Sequence, residues 1–189
     1  MKPVDAVKRG TFLIASPLLR DPNFVHSVVL MCEHGDDGSW GLVLNRRTDA
    51  SLGELVDSIS SPPALAAGVH WGGPVETSRL QVLHRLRRTF DESLDICDGV
   101  GLGLTLDDLR RVASRELLPG EALRAYVGHA GWGAGQLDAE LDTGSWIVCT
   151  ADERFVFDIP AETVWDHALR ALGPRYETLV NVPVDPRVN

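Results

Sequence analysis

The stretch HSVVLMCEH-GDDGS-WGLVLNR, residues 26–46, constrains the fold more than any other part of the chain. Two apolar runs rich in Val and Leu flank a five-residue segment of Gly, Asp and Ser. Such runs bury one or both faces as strands, and the polar segment between them reverses the chain. The spacing predicts an antiparallel hairpin with its connection at residues 35–39. A chain built around a central apolar hairpin needs further strands to cover its edges and helices to cover its faces.

Those elements are legible along the sequence. TFLIAS (11–16) reads as a strand, and PLLRDPNF after it as a loop. Ser51-x-x-Glu54 is a capping-box pattern that opens a helix over 52–59, and Thr105-x-x-Asp108 does the same for the helix beginning at Leu106. VHWGGPV and LQVLHR read as a strand pair around a Gly-Gly-Pro bend. ICDGVGLGLT (96–105) reads as one strand interrupted by glycines. LRAYVGHA reads as a strand leading into a glycine-rich corner, and QLDAEL after that corner as a short helix. SWIVCTA and RFVFDI read as strands. AETVWDHALRAL (161–172) has Val164, Trp165, Ala168, Leu169 and Leu172 at helical spacing, with Gly173-Pro174 as its stop. Strands outnumber helices and short turns join many neighbours. The expected class is α+β, a mixed and mainly antiparallel sheet, open or barrel-like, with helices packed on it. Residues 1–9 read as an N-terminal extension and 10–189 as a single domain. No internal repeat is visible.

Charge and cysteine usage narrow the function. The formal net charge is −9, a poor basis for holding phosphate backbones, so direct DNA binding is not expected. No apolar run is long enough for a membrane helix, and the N-terminus lacks a signal-peptide pattern. Cys32, Cys97 and Cys149 are odd in number and lie in apolar segments. They read as buried thiols of a reducing compartment, which places the chain in the cytoplasm.

The segment YVGHAGWGAGQL (126–137) carries glycines at 128, 131, 133 and 135 around Trp132. It differs from phosphate-binding patterns in spacing and has no Lys or Arg between Arg124 and Arg154. Asp138 and Glu140 follow, where they repel a second anion. The expectation is a backbone corner that only glycine turns, with Trp132 packed against it. Glu33 and His34 at the hairpin end form an acid–base pair, which with His129 makes one candidate catalytic set. Cys32 and His34 are too few to hold zinc, and no metal or cofactor site is expected. Arg79, Arg85, Arg87 and Arg88 form a local basic run, a candidate contact for nucleic acid.

Taken together, GTFLIASPLLRDPNFVHSVVLMCEH, GLVLNR, WGGPV, AYVGHAGWGAGQLDAEL and the closing DPRVN resemble the AlgH/YqgE-like family of bacterial proteins. One family signature falls on Glu33, His34, Gly38 and Gly41 to Arg46. A second falls on Gly128 to Gly133 with Gly135, Gln136 and Leu137. His129 stands where the family pattern has Tyr, Arg47 where it has Pro, and His26 where Arg is common. The resemblance implies a compact α+β protein with no catalytic residues to carry over, and a transcriptional-regulator label attached to part of the family. The leading expectation is a non-enzymatic regulatory or binding protein with a protein or small-molecule partner. Its binding surface would comprise Glu33, His34, Asn45, Gly128, His129, Gly131, Trp132, Gly133 and Gln136. The alternatives are a hydrolase using Glu33, His34 and His129, and a nucleic-acid-associated regulator using Arg79–Arg88.

Overall fold

A computed structural model describes residues 1–55, 68–86, 90, 92–113 and 121–177. Among the described residues ten strands form one curled, half-barrel sheet: β1 (Thr11–Ala15), β2 (Val28–Gly35), β3 (Gly38–Val43), β4 (Arg47–Ser51), β5 (Gly68–Trp71), β6 (Val75–Arg85), β7 (Leu94–Cys97), β8 (Val100–Leu102), β9 (Ala122–Gly133) and β10 (Trp146–Thr150). The order along the main path is β10-β1-β2-β3-β9-β6-β8-β7, with β5 joining β4 to β9. Every pairing is antiparallel except β5 with β9. The helices are α1 (Leu52–Leu55), α2 (Leu106–Ala113), α3 (Gln136–Asp142), α4 (Glu153–Phe157), α5 (Val164–Ala171) and α6 (Pro174–Glu177). The expected α+β architecture is the one observed.

The central strands are apolar throughout because both of their faces are covered. In β1, Phe12 and Ile14 join a core closed by Phe155, Val164, Trp165 and Leu169. The alternate residues Leu13 and Ala15 join a second core with Val29, Met31, Trp132 and Trp146. Period-two alternation thus feeds two hydrophobic layers rather than one. The Trp165 indole is fixed in place by donating to the Ala15 carbonyl at 2.8 Å. Both capping boxes form: Ser51 N–H donates to Glu54 Oε2 at 2.7 Å, and Asp108 N–H donates to Thr105 Oγ1 at 3.1 Å. Residues 56–59, expected to continue the first helix, lie outside the described residues, as does DPRVN.

Several local expectations are corrected. The hairpin turn is tighter than the five-residue segment suggests, because Gly35 pairs with Gly38 and only Asp36 and Asp37 turn the chain. The glycine-interrupted strand is two strands, β7 and β8, reversing at Asp98-Gly99, where Gly99 adopts φ +75°. RFVFDI is not a strand. Asp152 accepts from Arg154 N–H at 3.0 Å, starting α4, which buries Phe155 and Val156.

The largest correction concerns β5, β6 and β9. β5 and β6 do not pair with each other; they flank β9 on opposite sides. Val69–Trp71 pair with Ala125–Val127, and β6 pairs with β9 from Val75↔His129 to Arg85↔Ala122. The connecting Gly72-Gly73 passes directly over the β9 backbone. A Cβ on Gly73 would collide with the main chain of His129 and Ala130, and one on Gly128 with the Gly73 carbonyl. Gly73 and Gly128 also adopt φ +149° and +72°. Glycine is required here for close backbone approach as well as for conformation.

Candidate functional site

The glycine-rich segment is strand rather than loop. β9 continues through Gly128, His129, Ala130, Gly131, Trp132 and Gly133, and only Ala134-Gly135 turn before α3. Its two faces then have different roles. Ala130 and Trp132 point into the second core. Trp132 stacks on Phe24 with centroids 6.0 Å apart and meets Trp146 edge-on. The Glu140 carboxylate on α3 accepts from three donors: Trp132 Nε1 at 3.0 Å, Trp146 Nε1 at 2.7 Å and Gln136 Nε2 at 3.1 Å. Gln136 in turn accepts from Gly133 N–H at 3.1 Å. Trp132 is packed as its sequence context implies, and Gln136 is engaged in fixing the turn.

On the opposite face, His129 lines a groove of about 450 Å³ with Glu33, Trp40, Val75, Glu76, Arg79 and Gln81. Cross-strand register assembles it. Glu33 pairs with Trp40, Trp40 with Gly131, and His129 with Val75. Trp40 stands between the two ionisable groups, donating from Nε1 to Glu33 Oε2 at 3.1 Å and meeting the His129 ring edge-on at 5.7 Å. A Cβ on Gly131 would touch Val75 and His129 only at ordinary contact distance, 3.5 Å and beyond. The missing side chain therefore leaves space in the groove rather than relieving a clash.

Glu76 forms the far wall with φ +48°, a left-handed conformation uncommon for a non-glycine residue. It breaks the β6–β9 register between Val75 and Leu80. Its carboxylate holds Arg79 at 3.1 Å and lies 3.9 Å from His129 Nδ1. Partial burial lowers the His129 pKa below the ordinary value; Glu76 opposes that shift and Arg79 adds to it.

The remaining expected residues lie elsewhere. His34 is on the other face of β2 from Glu33, its Nδ1 2.7 Å from Ser39 Oγ. Glu33, His34 and His129 therefore do not converge as an acid–base trio. Asn45 clamps the chain entering β2, accepting from Val28 N–H at 3.0 Å and donating to the His26 carbonyl at 2.8 Å. Gly128 is the crossing point. Of the basic run, Arg79 is paired with Glu76, and Arg85 donates to both Asp158 oxygens at 2.8 and 3.1 Å. Arg87 and Arg88 lie outside the described residues. Burial raises the thiol pKa of all three cysteines, Cys97 to about 11 and Cys149 to about 12, so none is an activated nucleophile. Among the described residues no three His, Cys, Asp or Glu side chains cluster as a metal would need, and no helix is long and apolar enough to cross a membrane.

Sequence reading placed Glu33 and His129 in the site but missed Trp40, Val75 and Glu76. Trp40 carried a signal, since an aromatic residue on the polar side of a hairpin faces solvent or a ligand. Glu76 carried none, because the irregularity that exposes it arises only in the β6–β9 pairing.

The fold is a curled α+β sheet with a glycine crossing and an open groove over β9. The chain belongs to the AlgH-like family, which it matches over residues 12–177. A UPF0301 protein of Chlorobaculum tepidum is 34% identical over 98% of this chain and 97% of its own length. Another, of Paraburkholderia phymatum, is 41% identical over 86% of each. The solution structure of AlgH from Pseudomonas aeruginosa is similar at a TM-score of 0.73 and 31% identity, covering 97% of this chain and 98% of that one. A Corynebacterium diphtheriae protein at 20% identity shares the fold with a TM-score of 0.79 over 94% of both chains.

Proposed function

We propose that this protein is a non-enzymatic binding or regulatory protein whose partner, a protein segment or a small molecule, seats in the groove over His129 and Gly131. One observation carries this reading: Glu33, Trp40 and His129, from three strands, line a single open groove. Gly131 presents no side chain toward the lining residues Val75 and His129, and the groove wall is held by the strained Glu76. Backbone strain persists where surrounding structure over-determines it, and it gathers at ligand sites. The Glu33 and His34 carboxylate–imidazole pair points in two directions, which favours binding over acid–base chemistry.

Gly131→Leu fills the groove without a backbone clash and gives the test. Protein captured from native lysate on the parent chain should be lost on Gly131→Leu and on Trp40→Ala, with both variants folded. Equal capture by all three proteins overturns the groove as the binding surface. Turnover of a hydrolase substrate that His129→Ala abolishes would replace binding by catalysis.

A further inference from the structure

A second cleft, about 280 Å³, lies at the other end of β9, lined by residues that include Arg47, His70, Arg124, Phe157 and Glu162. Register builds it as a row across three strands. Arg47 on β4 pairs with His70 on β5, which pairs with Tyr126 on β9, and Arg124 lies two residues before Tyr126 on the same face. His70 is only 7% exposed and Tyr126 is fully buried. Their rings pack with centroids 5.3 Å apart, which fixes the imidazole orientation.

Three buried polar atoms in this row have no hydrogen-bond partner: His70 Nδ1, Arg124 Nη1 and Tyr126 Oη. Arg124 lies close enough to the phenol to favour its ionised form, but without a hydrogen bond of good geometry. An unpartnered buried polar group is destabilising, and buried groups in folded proteins are overwhelmingly paired. Two of them, on His70 and Arg124, belong to residues that line the cleft, and these mark a place prepared for something else. The second Arg124 nitrogen, Nη2, is anchored to the Phe157 carbonyl at 3.2 Å, so the guanidinium is held with Nη1 unused. At the mouth, Arg47 reaches Glu162 at 3.5 Å, both side chains more than half exposed. That loose ion pair is readily exchanged.

We propose that this cleft binds a small oxyanion, a phosphate or carboxylate group of a metabolite. The half-buried Arg124 guanidinium is the inner charged donor and Arg47 the donor at the mouth, released from Glu162. His70 is the orienting polar contact. Two guanidinium groups exclude a cation, and their planar donor forks match oxyanion geometry. The volume suits a small metabolite rather than a polymer. The site shares no lining residue with the His129 groove, so either can stand without the other.

The test is a titration of the full chain with sodium phosphate and with sodium malonate at matched ionic strength, against sodium chloride, following the His70 ring resonances by NMR. Saturable movement with phosphate, malonate or both, and none with chloride, is expected. Phosphate alone assigns a phosphoryl ligand and malonate alone a carboxylate. Arg47→Gln, an exposed change that leaves the fold intact, should weaken binding about tenfold through loss of one charge-assisted contact. Glu162→Gln, which removes the internal competitor, should tighten it. His70 resonances unmoved by either probe up to tens of millimolar, or moved equally by chloride, overturn the proposal. So does a binding constant that is unchanged in Arg47→Gln.

Discussion

The two faces of one strand, residues 128–133 of β9, solve opposite problems. On one face Trp132 is packed against Phe24 and Trp146, and its indole N–H is satisfied by Glu140. On the other, alternate residues His129 and Gly131 border open space beneath Trp40. A family signature dense in glycine and tryptophan therefore combines two kinds of constraint. Trp132, Gln136 and Gly128 are fixed by packing and chain crossing. His129 meets only the Trp40 edge and the Glu76 carboxylate, and a side chain at Gly131 would meet no backbone.

The contrast can be broken at four points, in descending order of effect. Gly73→Ala places a methyl group into the β9 main chain at a positive φ and should abolish folding or cost more than about 4 kcal/mol; circular dichroism and urea denaturation measure it. Trp132→Ala on the packed face should cost roughly 3–5 kcal/mol by the same denaturation assay.

Third comes a pH window from the opposite end of β9. Burial, then the charges of Arg124 and Arg47, lower the His70 pKa to about 4 from an ordinary value near 6.5, against weaker opposition from the Ala125 backbone and then Glu162. The unfolded chain binds that proton more readily. His70 therefore contributes stability above about pH 6.5 that is progressively lost as pH falls toward 4, on the order of 3 kcal/mol. His70→Gln should flatten this part of the stability–pH profile; an unchanged profile removes His70 as its source. The smallest effect belongs to the groove: His129→Ala should change stability by less than about 1 kcal/mol. A loss near that of Trp132→Ala would mean that both faces of the strand are structural.

What was legible in the sequence follows from how local each signal is. The strands 11–16 and 26–34, both capping boxes and the helix at Val164–Ala171 are written in contiguous periodicity and short-range side-chain pairs. Trp132 was expected to be packed, and it is. The glycine segment was read as a corner because glycine ordinarily marks turns. Here it marks the approach of residues 72–73, more than fifty positions away, which no local window contains. α4 was misread because RFVFDI carries strand-type residues, whereas the Asp152 cap and burial of Phe155 and Val156 favour helix. Two of the seven residues lining the groove, Glu33 and His129, came from motif chemistry. Glu76 and the His70 row depend on cross-strand register and were invisible.

The crossing of Gly72-Gly73 over β9 also orders events in time. Among the described residues, Val75–Gln81 have no sheet partner except β9, and β5 reaches the main sheet only through it. On a ribosome that strand is made some forty residues after β6. The N-terminal hairpin can close early, but the middle of the chain must wait, with an exposed strand edge, until residues 122–133 emerge and are covered by the crossing.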